Sequence, residues 1–343
     1  MICNCRDMSC KIKKGFNNSQ VMRSNKQKKK LAKHPEKCKW ENEEEEEHRQ
    51  TEEETDASQY PWIDVDGVSY VDIEQVLANP KYHTTSGRPM YVPGKWIPIR
   101  QYNPTIHDPE YPSWIIYGKR RTGKTFFMNW WLWFHQREYD QVYVFSETLI
   151  NGFWYKRVPR QAAYPQWDED RAAQILDFQK WVIENPKQAA QKGYTDKTVV
   201  VLDDVIANRT LRNAGDDGQF ASLYVQGRHT HMTVGTATQK ATALPPKVRD
   251  NIDLVFIMRQ ENATEIERIW KEHMSKLNRV TAMEMIDWWT RTENYKEPNE
   301  LRYVLVIDTD PCKSYNERFY YAIPEDPGEY HLGSKVFWEE MDY

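Results

Sequence analysis

The residues best placed for chemistry are Gly118-Lys119-Arg120-Arg121-Thr122-Gly123-Lys124-Thr125. They fit G-x-x-x-x-G-K-[ST], the phosphate-binding loop. Gly118 and Gly123 permit backbone conformations that residues with a Cβ resist. Successive amide N–H groups can then line one concavity and hold phosphate oxygens. The following helix adds its positive end to the same anion. In that arrangement Lys124 reaches the β- and γ-phosphates, and the Thr125 hydroxyl ligates Mg²⁺. Lys119, Arg120 and Arg121 either add positive charge over the phosphates or face solvent.

A second set of groups supplies carboxylates. Thr198-Val199-Val200-Val201-Leu202-Asp203-Asp204 is a β-prone apolar run ending in two acids. Such a run suits a parallel strand buried on both faces, and its carboxyl end is where open α/β sheets place ligands. Asp203 is the candidate for the Mg²⁺ hydration shell, and Asp204 for the group that polarises an attacking water. Another apolar run, Met232 to Thr238, ends in Gln239, whose amide can sense a γ-phosphate or orient the water.

These groups need a strand before the loop, a helix after it and parallel strands beside it. Ser113 to Tyr117 is a short apolar strand, and a helix follows from Lys124 to about Glu138. Phe126, Phe127, Trp130, Trp131, Trp133 and Phe134 make that helix apolar nearly all round, hence buried on most sides. Further strands fall at Gln141–Ser146, Asp253–Met258, Tyr303–Asp308 and Arg318–Ala322, the last two as a hairpin. Helices fall at Ala172 to Ile183, closed by Pro186, at Gly218 to Arg228, after Asn262 as N-cap, and at Ala282 to Trp289. Trp154-Tyr155-Lys156-Arg157-Val158-Pro159-Arg160 is a basic-aromatic loop that either touches a nucleic-acid backbone or a partner, or is an exposed connector. Alternating β and α elements with buried strands give a three-layer α/β domain with a central, mostly parallel sheet.

The chain has 343 residues and a net charge of −4, so no global field favours nucleic acid. Any DNA contact must come from local basic surface. Fourteen Trp and 20 Tyr suit a substantial core and subunit contacts. No apolar run approaches the ~20 residues that span a bilayer, and no secretory signal is visible. Five cysteines in this length suggest a reducing compartment. Residues 1–58 form a basic-then-acidic tail expected to be disordered. Its Lys26–Lys33 block is either a nuclear-import or nucleic-acid signal, or part of a solvated tail whose basic and acidic halves attract each other. Cys3, Cys5, Cys10 and Cys38 lack C-x-x-C pairing, so they make no standard zinc site. Residues 59–112 form a proline- and aromatic-rich arm that packs on the following domain or on a neighbouring subunit. Within it, Val68 to Ile73 is either a strand or the start of a helix. Residues 113–325 are the P-loop domain, and 326–343 a C-terminal extension.

GKRRTGKT at 118–125, VVVLDD at 199–204 and QGRHTHMTVGTATQ at 226–239 resemble, in this order, the FtsK–HerA-type packaging ATPases of large and membrane-containing double-stranded DNA viruses. Ala243-Leu244-Pro245-Pro246-Lys247-Val248-Arg249-Asp250-Asn251, followed by the strand Asp253 to Met258, is similar to the x-h-P-x-x-h-R-x-N-x-D turn of that family. The resemblance covers about residues 95–325. It implies an ASCE, RecA-like P-loop NTPase fold and an ATP- and Mg²⁺-dependent motor. The partners implied are double-stranded DNA, a ring of roughly five or six copies and a capsid or portal-vertex protein. The place of action implied is the host cytoplasm or viral factory, or the virion. Gly118, Gly123, Lys124 and Thr125 would bind the nucleotide, Thr125 and Asp203 the metal. Asp204 would be the catalytic carboxylate and Gln239 the sensor. Arg228, with Arg249 and Arg259 behind it, would be the arginine that reaches a neighbour's site. Asp204 departs from the glutamate common at its position and is one carbon shorter. The rival readings are another DNA-pumping or helicase-like ring ATPase, and a nucleotide-binding scaffold or switch with weak hydrolysis.

Overall fold

The computed structural model of the protein describes residues 57–205, 217–241, 244–290 and 303–341. Residues 1–56 of the charged tail, with its lysine block and four cysteines, lie outside the described residues, and Ala57–Gln59 forms a single 3₁₀ turn. The chain divides into two units, Met1–Gln59 and Tyr60–Tyr343.

The second unit contains eleven strands among its described residues: β1 Trp62–Val65, β2 Val68–Val71, β3 Arg100–Gln101, β4 Ser113–Tyr117, β5 Gln141–Ser146, β6 Ala163–Tyr164, β7 Thr198–Asp203, β8 Met232–Thr238, β9 Leu254–Ile257, β10 Val304–Asp308 and β11 Phe319–Ala322. Strands β1 and β2 form a hairpin whose Asp66-Gly67 turn has positive φ at both residues, 55° and 78°. That is the conformation a two-residue Asp-Gly hairpin turn requires. The other nine strands form one sheet in the order β3-β11-β10-β9-β4-β8-β7-β5-β6. Strands β9, β4, β8, β7, β5 and β6 run parallel. β10 is antiparallel to both its neighbours, and the terminal pair β11 and β3 is parallel. The late hairpin expected from sequence is the β10–β11 pair.

Every residue of β4, β5, β7 and β8 is buried, because helices cover both faces. Alternate residues serve two cores. Trp114, Ile116, Val199 and Val201 pack with Phe127, Trp131 and Leu132 of the helix Lys124–Phe134. Ile115, Tyr117, Val200 and Leu202 pack with Ile175 of the helix Glu169–Glu184, Leu223 of Gln219–Gln226 and Ile269 of Ala263–His273. Trp114 sits opposite Gly235 in the β4–β8 register. A Cβ at residue 235 would lie 1.9 Å from the Trp114 ring, so the indole occupies the space that any other residue's side chain would need.

The arm belongs to this unit and packs on its own chain. Val71, Ile73, Val76, Val92, Ile97 and Ile99 enter one of the two cores, and β3 pairs with β11 at the sheet edge. The Val68–Ile73 segment is both of the things its sequence allowed, since β2 runs directly into the helix Ile73–Ala78. Leu332 and Phe337 of the C-terminal extension are also buried. Pro186 does more than close a helix: it opens the next one, Pro186–Gln191, where its missing N–H costs nothing.

Candidate nucleotide site

The parallel strands bring the carboxyl ends of β4, β7 and β8 to one edge of the sheet. Strand β8 lies between the loop strand β4 and the acid-bearing β7. Registers Tyr117↔Thr238 and Asp203↔Ala237 level the three ends.

The loop is held by its neighbours on both sides. Gly118 N donates to Thr238 O (3.1 Å), and Lys119 N donates to Arg259 O (3.1 Å). A Cβ at residue 118 would stand 2.7 Å from Thr122 Oγ1. Arg121 and Gly123 have φ of 69° and 94°, and this left-handed backbone lets the loop curl back on the helix that starts at Lys124. Lys124 is buried, with Nζ donating to Gly118 O (3.0 Å) and Lys119 O (3.3 Å). Burial pulls its pKa below the ordinary lysine value, while the Asp204 and Asp203 carboxylates act the other way. An ammonium held only by loop carbonyls gains most from an incoming phosphate. Lys119 is turned aside into an ion pair with Glu261.

Thr125 Oγ1 lies 3.3 and 3.2 Å from the two Asp203 oxygens, to which it donates. Asp203 is 2% exposed. Burial pushes its carboxyl up, while hydrogen bonds from Trp154 and Thr125 oppose the shift. One hydroxyl and one carboxylate, with no sulfur or imidazole among them, fit a hard cation that keeps most of its ligands as water and phosphate, as Mg²⁺ does. Asp204 has φ 60°, and its amide donates to Ala237 O (3.2 Å). Gln239 Nε2 donates to Asp204 Oδ2 (2.7 Å). The sequence-derived set Gly118, Gly123, Lys124, Thr125, Asp203, Asp204 and Gln239 is therefore assembled in one place.

Arg228 is not part of that place. It precedes β8 and pairs with Asp253 at the start of β9, at the opposite end of the sheet; its side chain is 62% exposed. Arg249 is tied to Glu272 (3.1 Å) and Leu244 O (2.5 Å), and Arg259 to Asp287 (2.7 Å). Of the three arginines, Arg228 has the side chain most open to a second molecule.

Sequence reasoning misread one contributor and singled out another without giving it a role. Trp154, read as part of an exposed or nucleic-acid-facing loop, is wholly buried, and its Nε1 donates to Asp203 Oδ2 (3.1 Å). Val158 and Pro159 of the same segment are buried too, whereas Tyr155, Lys156 and Arg160 are exposed. The second contributor is the turn ending at Asp253, whose carboxylate accepts from Ser113 N and Ser113 Oγ, both at 2.8 Å. Asp253 N donates back to Ser113 O. The turn thus clamps the strand that carries the loop.

No family model matches the chain. Curated relatives include the uncharacterized protein 075L of Invertebrate iridescent virus 6, 25% identical over 157 residues, covering 46% of this chain and 57% of that protein. Others are the uncharacterized proteins L437 of Acanthamoeba polyphaga mimivirus (19% over 177 residues; 51% and 62%) and 015R of Frog virus 3 (24% over 203 residues; 58% and 57%). The chain spans about three fifths of the length of these relatives. Among solved structures it is similar to the genome packaging NTPase B204 of Sulfolobus turreted icosahedral virus 2 in complex with AMPPCP. The identity is 15%, the coverage 64% of this chain and 99% of that one, and the TM-score 0.43. It is also similar to the pCW3 conjugation coupling protein TcpA with ATPγS (11%; 68% and 70%; TM-score 0.42).

Proposed function

We propose that the protein is a Mg²⁺-dependent ATPase whose turnover drives double-stranded DNA into a viral capsid. The observation that carries the nucleotide half of the reading is the meeting of Lys124, Thr125, Asp203, Asp204 and Gln239 at the carboxyl ends of three strands.

In this mechanism the loop amides take the β- and γ-phosphates, and Lys124 exchanges its carbonyl partners for phosphate oxygens. Thr125 and Asp203 are the residues that would hold Mg²⁺, which would supply positive charge against the phosphates. Asp204 accepts a proton from the water that attacks the γ-phosphorus, and the bond to the β,γ-bridging oxygen breaks. Gln239 holds Asp204 in place until a γ-phosphate competes for its amide. Arg228, exposed at the far end of the sheet, is the group that would enter the site of an adjacent copy in a ring of roughly five or six. A capsid or portal-vertex protein would recruit the ring in the host cytoplasm or viral factory. No helix among the described residues is long and apolar enough to cross a membrane.

The test is ATP hydrolysis by the purified chain with and without linear duplex DNA, at low and high salt. Strong stimulation that fades with salt is expected, because contacts to the DNA backbone release counterions. Hydrolysis indifferent to DNA in a sample that sizes as a ring would replace the motor with a nucleotide-dependent scaffold or switch.

A further inference from the structure

Trp154 stands out because its surroundings and its own burial disagree. It opens the short turn Trp154–Lys156 in the segment after β5. That segment exposes Ile150 (93%), Tyr155, Lys156 and Arg160 to solvent. The Trp154 side chain nevertheless has no exposed surface and packs in the same core as Phe127 and Met128 of the loop helix. A buried indole N–H needs an acceptor. Here the acceptor is Asp203 Oδ2 at 3.1 Å.

Two donors therefore bracket one carboxylate. Thr125 Oγ1 reaches both oxygens from the loop side, and the indole holds Oδ2 alone. A carboxylate with one flexible hydroxyl donor can swing about its own bond. A rigid indole, fixed by core packing, sets the plane, and the Thr125 hydroxyl then spans Oδ1 and Oδ2 at 3.3 and 3.2 Å. Groups that fix the orientation of a metal-linked carboxylate typically change metal affinity by about 10–100-fold when lost. The backbone adds a second link, since Trp154 O accepts from both Arg157 N (2.8 Å) and Val158 N (3.0 Å). Arg157 in turn donates to Phe153 O and lies 4.1 Å from the Phe153 ring centroid. These contacts join the backbone of the basic segment to the residue that carries the indole.

We propose that Trp154 is a positioning residue: its indole N–H sets the Asp203 carboxylate for Mg²⁺, and it ties the segment Leu149–Ala162 to that site. The proposal rests on Asp203 being the metal-linking carboxylate, and the test separates the two. A fluorescent ATP, N-methylanthraniloyl-ATP, is titrated by anisotropy against the full chain in EDTA and across a Mg²⁺ series. Asp203→Ala should abolish the tightening that Mg²⁺ gives the wild type; if it does not, the reading of Asp203 itself fails. Trp154→Phe keeps an aromatic ring and removes the N–H. It should bind within about twofold of wild type in EDTA and need about tenfold more Mg²⁺ for half-effect. Trp154→His, which can offer an N–H, should recover part of the response. Tyr155→Ala, in the same turn but exposed, should behave as wild type. A folded Trp154→Phe with a wild-type Mg²⁺ midpoint overturns the proposal. If that variant does not fold, ¹⁵N-indole spectra of wild type and Asp203→Ala decide: one slowly exchanging indole N–H should shift and exchange faster when the carboxylate is gone, and no change overturns it.

Discussion

Gln239 Nε2 and Asp204 Oδ2 are 2.7 Å apart, so the amide that follows β8 restrains the carboxylate that follows β7. The two side chains act as a unit, and their removal should not be additive. Asp204→Asn should keep nucleotide affinity within a few-fold and lower single-turnover hydrolysis by about 10²–10⁴, the usual worth of a general base. Gln239→Ala should lower hydrolysis less, because Asp204 remains but is no longer held. Hydrolysis unchanged in Asp204→Asn removes that residue from the chemistry.

Lys124→Ala deletes the buried ammonium that faces the loop carbonyls. Its charge-assisted bonds to phosphate should be worth about 1.5–3 kcal/mol. A titration with ATP should therefore show affinity weaker by about 10–100-fold, with secondary structure by circular dichroism unaltered. Normal affinity would take the phosphates elsewhere.

Arg228 is held by Asp253, which also receives Ser113 at the start of the loop strand. If Arg228 acts on a neighbour, Arg228→Ala should depress hydrolysis in uniform rings. It should be rescued when mixed with Lys124→Ala subunits that carry an intact arginine. Rings that assemble but show no rescue would confine Arg228 to its pairing with Asp253.

Gly235→Ala puts a methyl group where the Trp114 ring already sits. The two strands are hydrogen-bonded along their length and cannot separate to admit it. Urea unfolding should show a loss of about 1–3 kcal/mol or more, and Gly235→Val should fail to fold. A neutral Gly235→Ala would mean that the β4–β8 register is different.

His273 shares a hydrogen bond with Tyr117, the last residue of the loop strand (3.2 Å). Burial, then the positive charge of Arg249, lowers its pKa from 6.5 to about 4. The folded state holds the ring neutral while the unfolded chain protonates it. Its contribution is therefore present above pH 6.5 and lost as pH falls through 4. The ceiling on that loss is about 3 kcal/mol. The stability gap between wild type and His273→Gln should shrink over this acid range. A constant gap would mean that the imidazole titrates alike in both states.

Much of the site was legible because phosphate chemistry demands local spacing. Gly118 to Thr125 and Asp203–Asp204 are contiguous runs, and the strand and helix around each follow from apolar patterning. The Trp154–Asp203 bond was not legible. Nothing local distinguishes a tryptophan that dives into the core from its exposed neighbours Tyr155 and Lys156; that is decided by the space beside the loop helix. The arm's pairing with β11 was hidden for a similar reason, since two residues make too short a strand to show alternation. The β1–β2 hairpin was not read either, although Asp66-Gly67 between Val65 and Val68 is a strong turn signal.

The arm's placement bears on how the chain is made. Ile73 N donates to Asn316 Oδ1 across 243 positions of sequence, Asn316 Nδ2 donates to Asp72 (3.0 Å), and β3 closes the sheet only against β11. During synthesis the arm emerges well before its partners, Asn316 and β11. Its apolar side chains must wait uncovered while the rest of the sheet forms. Closing so long a loop is slow, and exposed waiting segments invite wrong contacts. Refolding should accordingly be limited by arm docking, and slowing elongation alone would not relieve it.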